Sequence, residues 1–105
     1  MKSDCKISLA GTDSESGKFT LDGKLDFTSV NVLNESALNQ FANHRRITID
    51  LTNISYVNSA GLALLLDWKR WAALNERSLE IFNIPEKLLN IARICEVDTI
   101  LLGQE

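Results

Sequence analysis

The sequence has few of the residues that metal sites and serine hydrolases commonly use. Among its 105 residues are two cysteines and one histidine. Cys5 and Cys95 lie far apart in the chain and do not form a Cys-x-x-Cys pair, so the potential soft ligands lack the spacing of a zinc site. His44 stands in the segment ANHRR, which favours a surface loop. We therefore expect no metal site.

Glycine motifs for phosphate binding and for a serine nucleophile are also missing. Neither GxGxxG nor GxxxxGK[ST] occurs, so the sequence predicts no phosphate-binding loop and no cofactor. Ser59 is preceded by Val57 at the position where the G-x-S-x-G elbow requires its first glycine. A Ser-His-Asp arrangement would also have to use His44. We therefore expect a protein without catalytic activity.

Charge and hydropathy argue against two further kinds of partner. The net charge is −3, and no run of basic residues offers a surface for nucleic acid or for anionic lipid. No segment reaches the roughly 20 apolar residues that cross a bilayer, and MKSDCKISLA lacks the apolar region of a signal peptide. Reduced cysteines suit a cytoplasmic protein, although the spacing also permits one disulfide. We expect a cytoplasmic chain that reaches the membrane only through a partner.

The apolar pattern alternates between a period of two and a helical period. It predicts four strands over 5–10, 18–27, 46–51 and 78–82. It predicts three helices, beginning near Thr28, at Ser59 and around Pro85. This alternation is typical of a single α/β domain, residues 1–105, with helices packed on a mixed sheet whose first two strands form a hairpin.

Some segments carry more specific expectations. Phe27 continues the buried face of the second strand, and Gly23 marks a bulge or a close approach in it. Residues 11–17 predict a mobile hairpin loop, and residues 52–58 predict a connection between strand and helix. The segment TILL, 99–102, is compatible with a last short strand or with a packed tail.

The helix that begins at Ser59 is apolar around most of its circumference. One face can fill the core, and the remainder needs a cover from the same domain or from a partner. Asn58 or Ser59 can cap its first turn, while Ala60 and Gly61 are small enough to let a neighbouring chain approach the backbone. A phosphate on Ser59 would also be tolerated at the positive end of the helix dipole.

The first helix adds a second indication of an interface. Between Thr28 and Asn43, Glu35 is the only charged residue, and the polar positions are mostly asparagine. Interface cores are depleted of charge, whereas solvated helix faces usually carry Lys and Glu. Drift toward asparagine explains the same pattern without a partner, so both interpretations stay open.

The segment ITIDLTNISYVNSAGLALLL resembles the signature of STAS domains, in which a strand ends in Asp-Leu and Asp-Ser-x-Gly-Leu opens a helix. The resemblance covers essentially the whole chain and implies a mixed sheet with helices packed on it. Three segments are similar to the MlaB-type branch, the STAS subunit of the Mla phospholipid-transport ABC complex. They are GKLDFTSVNVL, AGLALLLDWKRWA and FNIPEKLLNIA.

This resemblance implies a non-catalytic subunit that binds the ATPase subunit of an ABC transporter for phospholipid trafficking and outer-membrane lipid asymmetry, and through it the permease. Ser59 falls on the family's key Ser/Thr position, part of the ATPase contact in the MlaB-type branch. In anti-sigma-factor antagonists that position is phosphorylated, so the alternative is an antagonist whose partner is an anti-sigma-factor kinase. Asn58 replaces the usual Asp and removes a charge that a kinase could read.

We expect the partner to contact the mouth of the second helix. Leu62 is expected in the core. The expected partner-binding residues are Ser59, Asn58, Ala60 and Gly61, with Leu64, Trp68 and Asn34 at the periphery.

Overall fold

The computed structural model describes residues 5–13 and 15–103. The strands are β1 (Cys5–Thr12), β2 (Ser16–Leu25), β3 (Arg46–Val57) and β4 (Ser78–Phe82). The helices are α1 (Val30–Phe41), α2 (Ser59–Leu74), α3 (Glu86–Ile94) and α4 (Asp98–Leu102). The expected α/β class is confirmed.

The four strands form one mixed sheet in the order β1-β2-β3-β4. β1 is antiparallel to β2, while β2, β3 and β4 run parallel to one another. Parallel neighbours need a crossover connection, and α1 and α2 supply the two crossovers. The segments that follow β2 and β3 therefore leave the same edge of the sheet, the edge from which α2 begins.

One face of the sheet is buried and the other is polar. Ile49 pairs with Phe19 and with Ile81, and all three side chains are buried. The next row of the ladder pairs Thr48 with Glu80 on the opposite face, where Glu80 is exposed. Since strand side chains alternate between faces, the core lies between the sheet and its helices.

The helix α2 is covered by its own domain. It contacts β3, β4 and each of the other three helices. Trp68 lies edge-on against Phe41 of α1, with ring centroids 5.1 Å apart. The apolar circumference that the sequence left open to a partner is therefore explained largely by internal packing. Among the described helices, none has the length and apolar character that a transmembrane helix needs.

The irregularity expected at Gly23 is present. The register between β2 and β3 shifts between Gly23 and Lys24, and a second shift lies between Thr20 and Asp22. Gly23 has φ 115°, a conformation that side-chain-bearing residues rarely adopt.

The prediction that residues 52–58 connect a strand to a helix was wrong, because residues 52–57 continue β3 to Val57. Asn53 pairs with Asp22, and Tyr56 pairs with Lys24. The backbone bonds offered by β2 thus outweigh the local turn preference of this segment.

Two further expectations need correction. Phe27 is not on a buried strand face, because β2 ends at Leu25 and Phe27 lies in the following turn. The TILL segment is not a strand, since it belongs to α4, where Leu101 is buried and Gly103 ends the helix at φ 74°. Pro85 precedes the third helix as its N-cap residue.

The hairpin expected over 11–17 is short, with β1 ending at Thr12 and β2 beginning at Ser16. Its Ser14 lies outside the described residues, as do residues 1–4, on which part of the signal-peptide argument rests. Cys5 is buried, Cys95 is exposed, and neither forms a disulfide in the structure.

Candidate functional site

Ser59 is the first residue of α2, directly after the edge where β3 ends. It is exposed. Within the described part of the chain, its hydroxyl has no hydrogen-bond partner. A hydroxyl in this position is available to a partner or to a modifying group.

Asn58, and not Ser59, is the residue that caps α2. Its side-chain Oδ1 accepts a hydrogen bond from the Ala60 N–H at 2.9 Å. Its own N–H donates to the Leu25 carbonyl oxygen at 3.2 Å, which ties the mouth of α2 to the end of β2. Because Asn58 supplies the cap, the Ser59 hydroxyl is not needed by the helix.

Gly61 contacts the interior of the domain, contrary to the expectation that its small size admits a partner. A Cβ at this position would lie 2.8 Å from Val57 Cγ2, 2.9 Å from Leu25 Cβ and 3.1 Å from the Leu25 carbonyl oxygen. Ala60 is also buried. The chain that approaches the helix backbone here is the domain's own sheet.

Leu64 and Trp68 were expected at the edge of a partner contact, and the structure corrects both. They are 7% and 1% exposed and belong to the hydrophobic core. The Trp68 Nε1–H donates to Asn34 Oδ1 at 2.8 Å. Asn34 is half-buried, and this hydrogen bond to its side-chain oxygen joins α1 to α2. Leu62 is buried, as expected.

Two exposed aromatic residues that share a groove with Asn58 were missed. A groove of about 660 Å³ opens next to the mouth of α2. Phe27 is 70% exposed and Tyr56 is 42% exposed in its lining. The residues that line the groove are Lys24, Asp26, Phe27, Thr28, Ser55, Tyr56 and Asn58.

The turn that presents Phe27 is held by hydrogen bonds. Asp26 Oδ1 accepts from the Thr28 hydroxyl at 2.8 Å and from the Thr28 N–H at 3.0 Å. The buried Ser29 hydroxyl donates to the Lys24 carbonyl oxygen at 2.7 Å. The bond from the Thr28 hydroxyl contributes most to lowering the pKa of Asp26 below its usual value. An Asp two residues before a Thr favours a turn, so the sequence did contain a signal that β2 ends before Phe27.

The described residues bring no catalytic partner to Ser59. His44 lies before β3, packed edge-on against Phe19 with 5.6 Å between ring centroids. Ser59 lies after β3, and twelve residues of strand separate the two by roughly 35 Å. Nor do the described His, Cys, Asp and Glu side chains include a group of three that could hold a metal ion.

The sequence matches the family model described as "Mlab, STAS domain" over residues 8–103. The chain belongs to the STAS domain family. No curated protein matches it significantly.

Solved structures show the same fold at low sequence identity. The unphosphorylated anti-sigma factor antagonist SpoIIAA has a TM-score of 0.71 at 16% identity, covering 89% of this chain and 83% of that chain. The phosphorylated form of the Bacillus cell fate determinant SpoIIAA has a TM-score of 0.66 at 18% identity, covering 88% and 85%. SLC26A9 has a TM-score of 0.74 at 11% identity, covering 97% of this chain and 21% of that chain.

Proposed function

We propose that this chain is a non-catalytic cytoplasmic subunit that binds the ATPase subunit of an ABC transporter for phospholipids, and that Ser59 is the centre of the contact. The observation that carries the proposal is the exposed Ser59 hydroxyl, which the helix does not use because Asn58 provides the cap. The match to the Mlab-type family model over most of the chain supports the choice of partner.

The surroundings of Ser59 fit a protein contact better than a small-molecule site. The groove beside Asn58 is open and exposes two aromatic rings, Phe27 and Tyr56. On the neighbouring helix α1, Val32 is exposed and Glu35 is the only charge. Exposed aromatic rings beside a helix with a single charge are typical of a protein interface.

The ATPase contact is tested by capturing partners with tagged wild-type protein and two serine variants from the organism's own cells. Ser59→Glu places a charge at the proposed centre. Ser78→Glu is the matched control, because Ser78 is exposed and pairs with Arg46 at the opposite end of β3. We expect the wild type and Ser78→Glu to recover the ATPase with its permease, and Ser59→Glu to lose both.

The Ser59→Glu variant should still fold, since an acidic residue in the first turn of a helix interacts favourably with its dipole. Its melting temperature is measured beside the capture. Equal recovery of the ATPase by all three proteins would refute Ser59 as the contact centre. Loss of binding that is matched by loss of folding would also count against it.

A second candidate function is an antagonist that captures an anti-sigma-factor kinase and is switched by phosphorylation of Ser59. The exposed hydroxyl at a helix N-terminus favours it, because phosphate is stabilised there. Asn58 weakens it, since the usual acidic residue is absent. Incubation with such a kinase and ATP, followed by intact-mass measurement of wild type and Ser59→Ala, decides: one phosphate on the wild type alone supports the switch.

A further inference from the structure

The groove lined by Asn58, the residue before Ser59, has the composition of an anchor site for a partner side chain. Phe27 and Tyr56 are large aromatic residues left in water at a place where β2 and β3 both end. Aromatic residues at interface centres carry a disproportionate share of binding free energy, since they bury much area with few rotatable bonds. The exposure of both rings in one groove is typical of a surface that binds a partner.

The backbone that carries the two rings is held by hydrogen bonds before any partner arrives. Tyr56 is directly opposite Lys24 in the β2–β3 ladder. Phe27 lies in the turn closed by Asp26 and Thr28. The Ser55 hydroxyl donates to the Gly23 carbonyl oxygen at 3.2 Å, which adds a bond across the strands below the groove. A site fixed in this way loses little entropy when it is filled.

The charges around the groove favour an acidic partner. Lys24 lines it and is exposed. The Lys87 ammonium of α3 lies 4.6 Å from the centre of the Tyr56 ring. Asp26 is the only acidic residue in the lining, and its Oδ1 already accepts two hydrogen bonds from Thr28. The lining thus carries one ammonium group, that of Lys24, against one carboxylate that is engaged in its own turn, and the Lys87 ammonium adds a second positive charge against the Tyr56 ring.

We propose that this groove binds a segment of the ATPase subunit in which an apolar side chain packs between Phe27 and Tyr56 and a neighbouring carboxylate pairs with Lys24 or Lys87. The inference rests on the proposed function, because it names the part of the transporter ATPase that the Ser59 site recognises. It adds Phe27 and Tyr56 as the residues that supply most of the affinity.

The test measures the dissociation constant of the purified ATPase subunit, recovered in the capture experiment, for the wild type and for substituted proteins. We expect Phe27→Ala and Tyr56→Ala each to weaken binding roughly tenfold to thirtyfold, the range of interface anchors. We expect Lys24→Glu with Lys87→Glu to weaken binding in low salt and to lose most of this effect in high salt, because exposed charges are screened.

Phe82→Ala is the matched control. Phe82 is an exposed aromatic residue, 47% exposed, but it is the last residue of β4, opposite Asp50 of β3, and it does not line the groove. Its removal should leave the dissociation constant unchanged. All variants replace exposed side chains, so their melting temperatures should stay close to that of the wild type.

The outcomes separate this inference from the function on which it rests. If the wild type does not bind the ATPase, the proposed function fails and the inference fails with it. If Ser59→Glu abolishes binding while Phe27→Ala and Tyr56→Ala bind as the wild type does, the function stands and the groove is not an anchor site. If Phe82→Ala weakens binding as much as the groove variants, the groove is likewise not the specific site.

Discussion

At the scale of single residues, the mouth of α2 divides its tasks between two neighbours. The Asn58 side-chain oxygen accepts from the Ala60 N–H, and the Asn58 backbone N–H donates to the Leu25 carbonyl oxygen, so this residue stabilises the fold. The Ser59 hydroxyl makes no hydrogen bond to the described residues, and Ser59 is exposed. Serine and asparagine are both good helix caps, and for this reason the sequence alone leaves the two roles open.

Gly61 provides a prediction about stability. Gly61→Val should destabilise the domain by about 1–3 kcal/mol, because its Cβ would already overlap Val57 Cγ2 and Leu25 Cβ. The free energy of unfolding in urea measures this. Gly11→Val is the control: a Cβ at Gly11 meets nothing within 4 Å, and valine suits a strand. Equal stability of the two variants would show that the contact under Gly61 is not tight.

At the scale of elements, β3 lies between β2 and β4 in the sheet, and its Asp50 side chain also bonds to the segment that follows β4. Asp50 Oδ1 accepts hydrogen bonds from the Thr52 hydroxyl at 2.6 Å, the Thr52 N–H at 2.9 Å and Asn83 Nδ2 at 2.9 Å. Asn83 has φ 58°, a left-handed conformation just after β4 ends. The carboxylate of β3 therefore helps to hold the turn through which the chain leaves β4.

The link predicts a pH dependence. The Thr52 hydroxyl, and then Asn83, lower the pKa of Asp50 in the folded state. A lowered folded pKa adds stability that is present above the unfolded pKa, near 4, and is lost as the pH falls through the folded value. Asp50→Asn should be less stable than the wild type at pH 7, and the difference in melting temperature should shrink between pH 4 and pH 2.

Asp67→Asn serves as the comparison, because Asp67 is exposed on α2 and accepts no hydrogen bond from the described residues. Its melting temperature should follow that of the wild type across the same pH range. A difference for Asp50→Asn that stays constant down to pH 2 would mean that the carboxylate charge does not stabilise the turn.

Sequence periodicity located most of these elements but not all of their ends. The alternation in RITIDL and SLEIF placed two strands, and the apolar run after Ser59 placed α2. It failed where pairing with a distant strand outweighs local preference, as in residues 52–57 of β3. It also failed at Phe27, since alternation continued by chance through a turn that Asp26 closes.

The candidate site was only half predictable for a related reason. Ser59 and Asn58 are marked by their position before an apolar helix. The groove aromatics Phe27 and Tyr56 are far apart in sequence and meet only because β2 and β3 end side by side. Conversely, Trp68 resembles an interface residue in isolation, but α1 covers it.

At the scale of the whole molecule, the sheet order predicts how unevenly the domain opens. β3 has strands on both sides and helices over one face, whereas β1 and β4 each have one neighbour in the described sheet. Amide hydrogen exchange should therefore be slowest in β3 around Ile47 and Ile49, and faster in α4, which has five residues. Exchange in β3 as fast as in α4 would show that the sheet is not the stable centre.

The tie between Asn58 and Leu25 has a consequence for kinetics. It anchors the first turn of α2 to the sheet, and the Asp26 turn anchors the loop beside it. We therefore expect binding at the surface around Ser59 to need no slow opening step. The observed association rate should then rise in proportion to partner concentration and show no plateau.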